Sequence, residues 1–299
     1  MTWNWDRLVC GMSVLLAVGV ARAEPEANAT ATGAAADRPV IRRAATARVE
    51  TRRIGELSGV VASRKQPGYF WTHGDSGAEP KIAAFDANGN VVAQVTIAGA
   101  YNVDWEDICA DEAGHLYIGD LGDGGGYPTR TVYEIAEPDP LAPPTEPVEI
   151  VAKYEFRYPH DRKFDIEALF YYGDAIYVIG KSRWPGARLY RIEPIGEGAA
   201  KLVEVATLPV TLATAADVSA DGKRLLVSSY PGLWVYPITG GDSFVDAAHP
   251  QLVNYEVDSR IEGACFDADG ITLLGENGCM IRVSNDEVQK QVRLIVGEK

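Results

Sequence analysis

The sequence predicts an all-β fold, and three observations carry that prediction. Short runs of aliphatic, aromatic and β-branched residues recur between Gly, Asp and Pro turns, no segment sustains a 3.6-residue apolar period, and one composite unit appears five times. The unit is an apolar run, a tight turn with Asp or Gly, a second apolar run, and a cluster of Gly with polar or charged residues. Two further strand-like runs follow each unit. Four antiparallel strands repeated at intervals of about 45–61 residues match the blades of a β-propeller. Sandwiches and closed barrels also string short strands together, but they do not repeat a four-strand unit with the same residue classes in the same places. Five blades are visible, and a sixth built from both termini is left open.

Taken in order, residues 1–23 read as a secretory signal peptide. Arg7 supplies the positive region, residues 8–20 the apolar run and Ala21-Arg22-Ala23 the cleavage pattern. The apolar run is short for a membrane span, and no later segment is long and apolar enough to cross a bilayer. A periplasmic or secreted product with no membrane span is expected. Residues 24–39, rich in Ala, Thr, Glu and Pro without apolar periodicity, read as a disordered leader, and residues 40–299 as a single propeller domain. Residues 46–55 are expected to form a strand that pairs with the C-terminal unit and closes the ring.

The first unit runs Leu57-Ser58-Gly59-Val60-Val61, then Tyr69-Phe70-Trp71-Thr72-His73-Gly74-Asp75. The second runs Trp105-Glu106-Asp107-Ile108-Cys109, then Leu116-Tyr117-Ile118-Gly119-Asp120. The third has Ile166-Glu167-Ala168-Leu169-Phe170 and residues 176–181, the fourth Ala216-Asp217-Val218 and residues 225–229. The fifth has Ile261-Glu262-Gly263-Ala264-Cys265-Phe266 and residues 272–277.

Composition narrows the partners. With 28 Lys+Arg against 42 Asp+Glu the net charge is −14, which repels nucleic-acid backbones and anionic lipid. An apolar fraction of 46% and a charged fraction of 23% exclude disordered and collagen-like classes. The three cysteines beyond the signal, Cys109, Cys265 and Cys279, cannot form a complete disulfide framework, although a Cys265–Cys279 bridge is open. No Cys/His spacing suits zinc.

In a propeller the entry to each inner strand and the exit of each second strand open on one face. The repeat therefore gathers Ser58, Glu106, Glu167, Asp217 and Glu262 with His73, Asp75, Asp120, Asp123, Lys181, Ser229, Glu276 and Asn277. Such an oxygen-rich set suits a hard cation such as calcium, with Glu106, Asp120, Glu167 and Glu262 as candidate metal ligands. His73, Asp75, Asp123, Lys181, Arg183, Trp184 and Asn277 are candidate ligand-binding residues. Residues 160–163 (His, Asp, Arg, Lys) add positive charge near the same face, and Trp105 and Tyr127 are candidate aromatic walls. The inner-strand acids have a second reading, in which they accept backbone amides and lock blades together.

Other motifs fail on context. Gly74-Asp75-Ser76-Gly77 lacks an upstream His beyond the adjacent His73. The Gly-rich run 119–126 leads into a strand, not a phosphate-binding helix. Asp86-Ala87-Asn88-Gly89-Asn90 reads as a hairpin turn, and residues 138–147 as a proline-rich excursion on the opposite face.

Leu57-Ser58-Gly59, Trp71-Thr72-His73-Gly74-Asp75-Ser76-Gly77, Asp104-Trp105-Glu106-Asp107-Ile108, Gly119-Asp120-Leu121-Gly122-Asp123 and Asp165-Ile166-Glu167-Ala168-Leu169 together resemble a family of exported, mostly uncharacterised bacterial β-propeller proteins. The resemblance spans residues 55–285 and departs from the family pattern at Gly74 and Gly124, where Asn is expected. A looser, fold-level similarity links the chain to calcium-dependent propeller lactonases and phytases. The resulting expectation is a monomeric exported propeller that binds a small molecule through a divalent cation, with metal-dependent hydrolysis of an ester, lactone or phosphoester as the chemistry. The alternative is a non-catalytic scaffold for an envelope protein.

Overall fold

The computed structural model of the chain describes residues 40–42, 45–52, 54–123, 127–158, 165–241, 244–257 and 259–288. Residues 1–23 and 24–39, expected as signal peptide and leader, and residues 160–163 lie outside the described residues. No helix among the described residues is long and apolar enough to cross a membrane.

The chain enters through two short strands, β1 (Val40–Arg42) and β2 (Ala47–Arg48). The first blade is β3 (Leu57–Ala62), β4 (Tyr69–Gly74), β5 (Lys81–Asp86) and β6 (Val91–Thr96). The second is β7 (Trp105–Ala110), β8 (His115–Asp120), β9 (Thr129–Ala136) and β10 (Ile150–Arg157). The third is β11 (Asp165–Tyr172), β12 (Ala175–Lys181), β13 (Ala187–Gly196) and β14 (Ala199–Leu208). The fourth is β15 (Ala213–Val218), β16 (Arg224–Ser229), β17 (Gly232–Pro237) and β18 (Gln251–Glu256). In the last blade β19 (Ile261–Phe266), β20 (Gly270–Gly275) and β21 (Cys279–Ser284) are followed by β2 as the outer strand.

Burial explains why the strand runs look as they do. Inner strands such as β3 and β7 are covered on both faces and read as nearly unbroken apolar stretches, whereas the outer strand β6 alternates buried and exposed positions. The turns take the chemistry their backbones require. The β5–β6 hairpin places Gly89 at φ +84, and Asp86 Oδ1 accepts the Asn88 and Asn90 amides, so the segment is a turn as its sequence indicates.

Five apolar clusters fill the five gaps between neighbouring blades. Trp71 and Ile82 meet Trp105 and Ile118; Cys109 and Tyr117 meet Ile166 and Tyr190; Phe170 and Leu189 meet Leu225 and Tyr236. Leu226 and Val235 meet Ile261 and Leu273, and Leu274 and Met280 meet Leu57 and Phe70. The last of these seals the ring, so among the described residues the propeller has five blades and no sixth. The closing strand is shorter than residues 46–55. Ala47 and Arg48 pair with Met280 and Cys279, while Ile54 and Gly55 turn back onto the Thr51 carbonyl.

Two edge pairings were not legible in the repeat. Strand β1 adds in parallel to β18 at the edge of the fourth blade, and Glu155 of β10 pairs with Ala199 of β14, joining the second and third blades. Cys109, Cys265 and Cys279 are all buried, and no Cys265–Cys279 bridge forms.

Candidate functional site

Every inner strand breaks register at its entry. The ladder slips between Trp105 and Asp107, Ile166 and Ala168, Ala213 and Ala215, and Ile261 and Gly263, with a corresponding slip between Ser58 and Val61. A β-bulge of this kind takes one residue out of the ladder and re-aims its side chain. In three blades that residue is a glutamate: Glu106, Glu167 and Glu262. In β15 it is Thr214, whose hydroxyl donates to the Ile261 carbonyl at 3.0 Å. Asp217, expected beside the glutamates, instead stands three residues further along at the position of Cys109 and Cys265. It is buried, and its Oδ2 accepts the Phe266 amide at 2.8 Å.

Asp217 and Asp107 carry out the blade-locking role. Asp107 is fully buried; its Oδ2 accepts the Leu169 amide of β11 at 2.8 Å and the Ala216 amide of β15 at 3.0 Å, and its Oδ1 accepts Ile108 N–H. One carboxylate thus ties the inner strands of three blades. The bulge glutamates accept none of the inner-strand amides bound by Asp107 and Asp217.

Two overlapping carboxylate groups result. Ligand oxygens of Asp75, Asp104 and Glu106 lie within 4.8 Å of one another, and so do those of Glu106, Asp165 and Glu167. Glu106 belongs to both. The approach is possible because position 122 is glycine: a Cβ there would fall inside the contact distance of both Glu106 Oε1 and Asp104 Oδ2. Asp104 is held by its backbone, since its carbonyl accepts the Leu121 and Gly122 amides and its amide donates to Asp120 Oδ1 at 2.7 Å.

Crowded, half-desolvated carboxylates resist ionisation. Burial, followed by the charges of Glu167, Asp104, Asp75 and Asp165, holds the Glu106 carboxyl well above the usual carboxylate range. Burial and the neighbouring Asp165 raise Glu167 to about 8, against the opposing pull of Lys181. Burial likewise raises Asp75 and Glu262, and lifts Asp120 to about 6.

A cationic relay borders the acids. Lys181 Nζ lies 2.6 Å from Glu167 Oε2, donates to Tyr230 Oη at 3.3 Å and sits 5.1 Å from the Tyr230 ring centre. Tyr230 Oη donates in turn to Glu262 Oε1 at 3.0 Å. Burial acts to depress Lys181, but Glu167 and then Tyr230 outweigh it, so the ammonium stays charged. Arg260, immediately before β19, pairs with Glu276 at 2.9 Å and interacts with Tyr230.

The other expected site residues fall away from this centre. His73 is completely buried, edge-on to Trp105 with ring centres 5.5 Å apart, and its Nδ1 contacts the Gly74 carbonyl. Burial lowers its pKa to about 4, and it has no surface on which to meet a ligand. Asp120 supports Asp104 from behind and is in neither carboxylate group; Glu262 reaches the site only through Tyr230. Asn277 is spent on its own turn, accepting from Cys279 N–H and Ser259 Oγ. Asp123, Arg183, Trp184 and Tyr127 are exposed on loops, and Trp105 is buried in the gap between the first two blades with its indole N–H on the Tyr101 carbonyl.

Four residues of the site were not among the candidates read from the sequence: Asp104, Asp165, Gly122 and Tyr230. A signal for the first two was present. Asp104-Trp105-Glu106 and Asp165-Ile166-Glu167 share an Asp-x-Glu spacing, while the equivalent of the fifth blade is Arg260-Ile261-Glu262. The change from Asp to Arg accounts for the absence of a third carboxylate pair.

No family model matches the chain, and no curated protein does. Among solved structures it is similar to a luciferin-regenerating enzyme, with 10% identity over 81% of this chain and 76% of that one and a TM-score of 0.47. It is also similar to a gluconolactonase from Xanthomonas campestris, with 18% identity over 75% and 70% of the two chains and a TM-score of 0.43. A chain of the nidogen/laminin complex gives 9% identity over 73% and 72% and a TM-score of 0.43. Likenesses this distant say nothing about activity.

Proposed function

We propose that the chain is an exported propeller that binds a small ligand through a divalent cation at the channel mouth and hydrolyses it as an ester, lactone or phosphoester. The observation that carries this reading is the sharing of Glu106 between two carboxylate groups whose oxygens lie within 4.8 Å of one another. The donor set is all oxygen and anionic, which fits calcium, magnesium or manganese and not a thiophilic metal. Asp75, Asp104, Glu106, Asp165 and Glu167 would hold the ion. When bound, it would supply Lewis acidity to polarise a carbonyl or phosphoryl oxygen.

The chain's own groups have distinct tasks. Lys181 is a fixed positive charge beside the acids and suits a developing oxyanion or a substrate carboxylate. Glu167 holds its proton up to about 8 while the cation is absent and would give it up on taking the cation as a ligand. Tyr230 bridges the Lys181 ammonium and the Glu262 carboxylate and so orients the ammonium. Because the locking of blades falls to Asp107 and Asp217, a purely structural role for the bulge glutamates has less support.

Calorimetry of the mature protein with calcium, magnesium and manganese tests the reading. One of the three is expected to bind, with Glu106→Gln weakening it by at least about tenfold. A panel of lactones, aryl esters and phosphoesters is then assayed with and without that ion. Absence of binding by all three cations sinks the metal-dependent reading; binding without turnover of any panel member leaves a cation-dependent binding protein.

A further inference from the structure

The face opposite the acids carries a separate recess. Ala62, Val218 and Phe266 end the inner strands β3, β15 and β19, and between them lies a cavity of about 500 Å³. That volume is within the range of small-molecule sites. Two arginines bound it. Arg224 sets its guanidinium 5.0 Å above the Phe266 ring centre and makes no ion pair among the described residues. Arg64 has its Nε buried, and its Nη1 donates to the Ala62 carbonyl at 3.3 Å.

The remaining charges of the recess are already engaged. Asp221 accepts the Ser219 hydroxyl at 2.6 Å and the Lys223 amide, and Asp267 accepts the Thr272 hydroxyl and pairs with Arg282 at 3.1 Å. The Arg64 Nε faces Glu112 Oε1 at 3.4 Å, but that carboxylate is 82% exposed and its pull is screened by water. Two guanidiniums, Arg224 without an ion pair among the described residues and Arg64 with only an exposed one, border a recess lined in part by Phe266, Pro67 and Ala220, a combination that matches a carboxylate or phosphate head on an apolar body.

We propose that this recess is a second ligand site, independent of the acid cluster, which takes a small organic anion. Arg64 and Arg224 bind the head, and Phe266, Pro67 and Ala220 pack against the body. The probes are benzoate and phenyl phosphate, with inorganic phosphate as a head without a body, each titrated into the full mature protein by calorimetry. At least one of the two aryl anions is expected to bind, and more tightly than inorganic phosphate. Which of them wins identifies the head.

Arg224→Gln and, separately, Arg64→Gln are expected to weaken binding by about tenfold. Lys201→Gln, on the outer strand of the third blade, is expected to leave it unchanged. Arg224 is partly exposed and outside the core, so its variant reports even where loss of Arg64 disturbs folding. Failure of both aryl anions to bind overturns the proposal. So does binding that Arg224→Gln leaves unaltered, or inorganic phosphate binding as tightly as the aryl anions.

Discussion

Lys181 Nζ stands 2.6 Å from Glu167 Oε2, across the first ladder pair of the third blade, where Asp165 lies opposite Lys181. Both side chains are largely buried, so removing the cation strands a carboxylate, but Glu167 can escape by taking up a proton. For Lys181→Met this predicts a loss of stability of roughly 1–3 kcal/mol at pH 9 and well under half that at pH 6. Denaturant melts at the two pH values measure it. Equal losses at both would mean that Glu167 does not titrate between them.

The acid cluster predicts how stability runs with pH when no cation is present. In the folded protein Glu167 keeps its proton up to about 8, whereas in the unfolded chain it ionises near the ordinary glutamate value of 4.5. The folded state therefore binds more protons between these values, and stability falls as pH rises from 4.5 to 8, then levels. Adding the bound cation reverses the trend, because binding displaces those protons and stabilises the folded state. The melting temperature is expected to fall across this window with chelator and to recover on adding the cation, most at pH 8. Calorimetry in buffers of different ionisation enthalpy should register proton release on binding.

His73 acts in the opposite direction. Its folded pKa of about 4 lies below the unfolded value of 6.5, so the stability it contributes is complete above 6.5 and is lost as pH falls toward 4. A His73→Gln variant is expected to flatten the acid limb of the stability curve below pH 6.5 while leaving the limb above it unchanged. Equilibrium unfolding from pH 4 to 8 separates the two.

Gly122 predicts a variant that damages the site more than the fold. In Gly122→Ala the new methyl collides with Glu106 and Asp104, which must swing apart. Cation binding is expected to drop by at least about tenfold, with a stability cost of roughly 1–3 kcal/mol. A variant that binds the cation normally would mean that these two carboxylates do not act together.

Asp107→Ala should be the most damaging single change at the centre of the ring. It leaves the buried Leu169 and Ala216 amides without their acceptor and opens space between three inner strands. A loss of roughly 3–5 kcal/mol is expected, and a smaller one for Asp107→Asn, which keeps one acceptor oxygen. Chemical denaturation of the two variants side by side gives the comparison.

Much of this molecule can be read in the chain. The repeat from Leu57 to Asn277 specifies the strands, and the glutamates at 106, 167 and 262 recur because each blade builds its entry in the same way. The hairpin at Asn88-Gly89 follows from turn chemistry alone. The repeat misled where one letter stood for two roles. Asp217 looks like a member of the acidic mouth, but it is offset from the bulge and its carboxylate is taken up by the Phe266 amide of the neighbouring blade.

The sequence by itself determined an all-β ring of repeated four-strand blades, closed by N-terminal residues, because local periodicity and turn residues dictate strands one blade at a time. Only the tertiary structure decided which acids meet. A single residue of bulge sets whether a carboxylate faces the mouth or the adjoining strand, and that direction depends on contacts between blades far apart in the chain. It also decided that Asp104 and Asp165 join Glu106, that Gly122 makes room for them, and that His73 lies behind the site within the packed gap between blades.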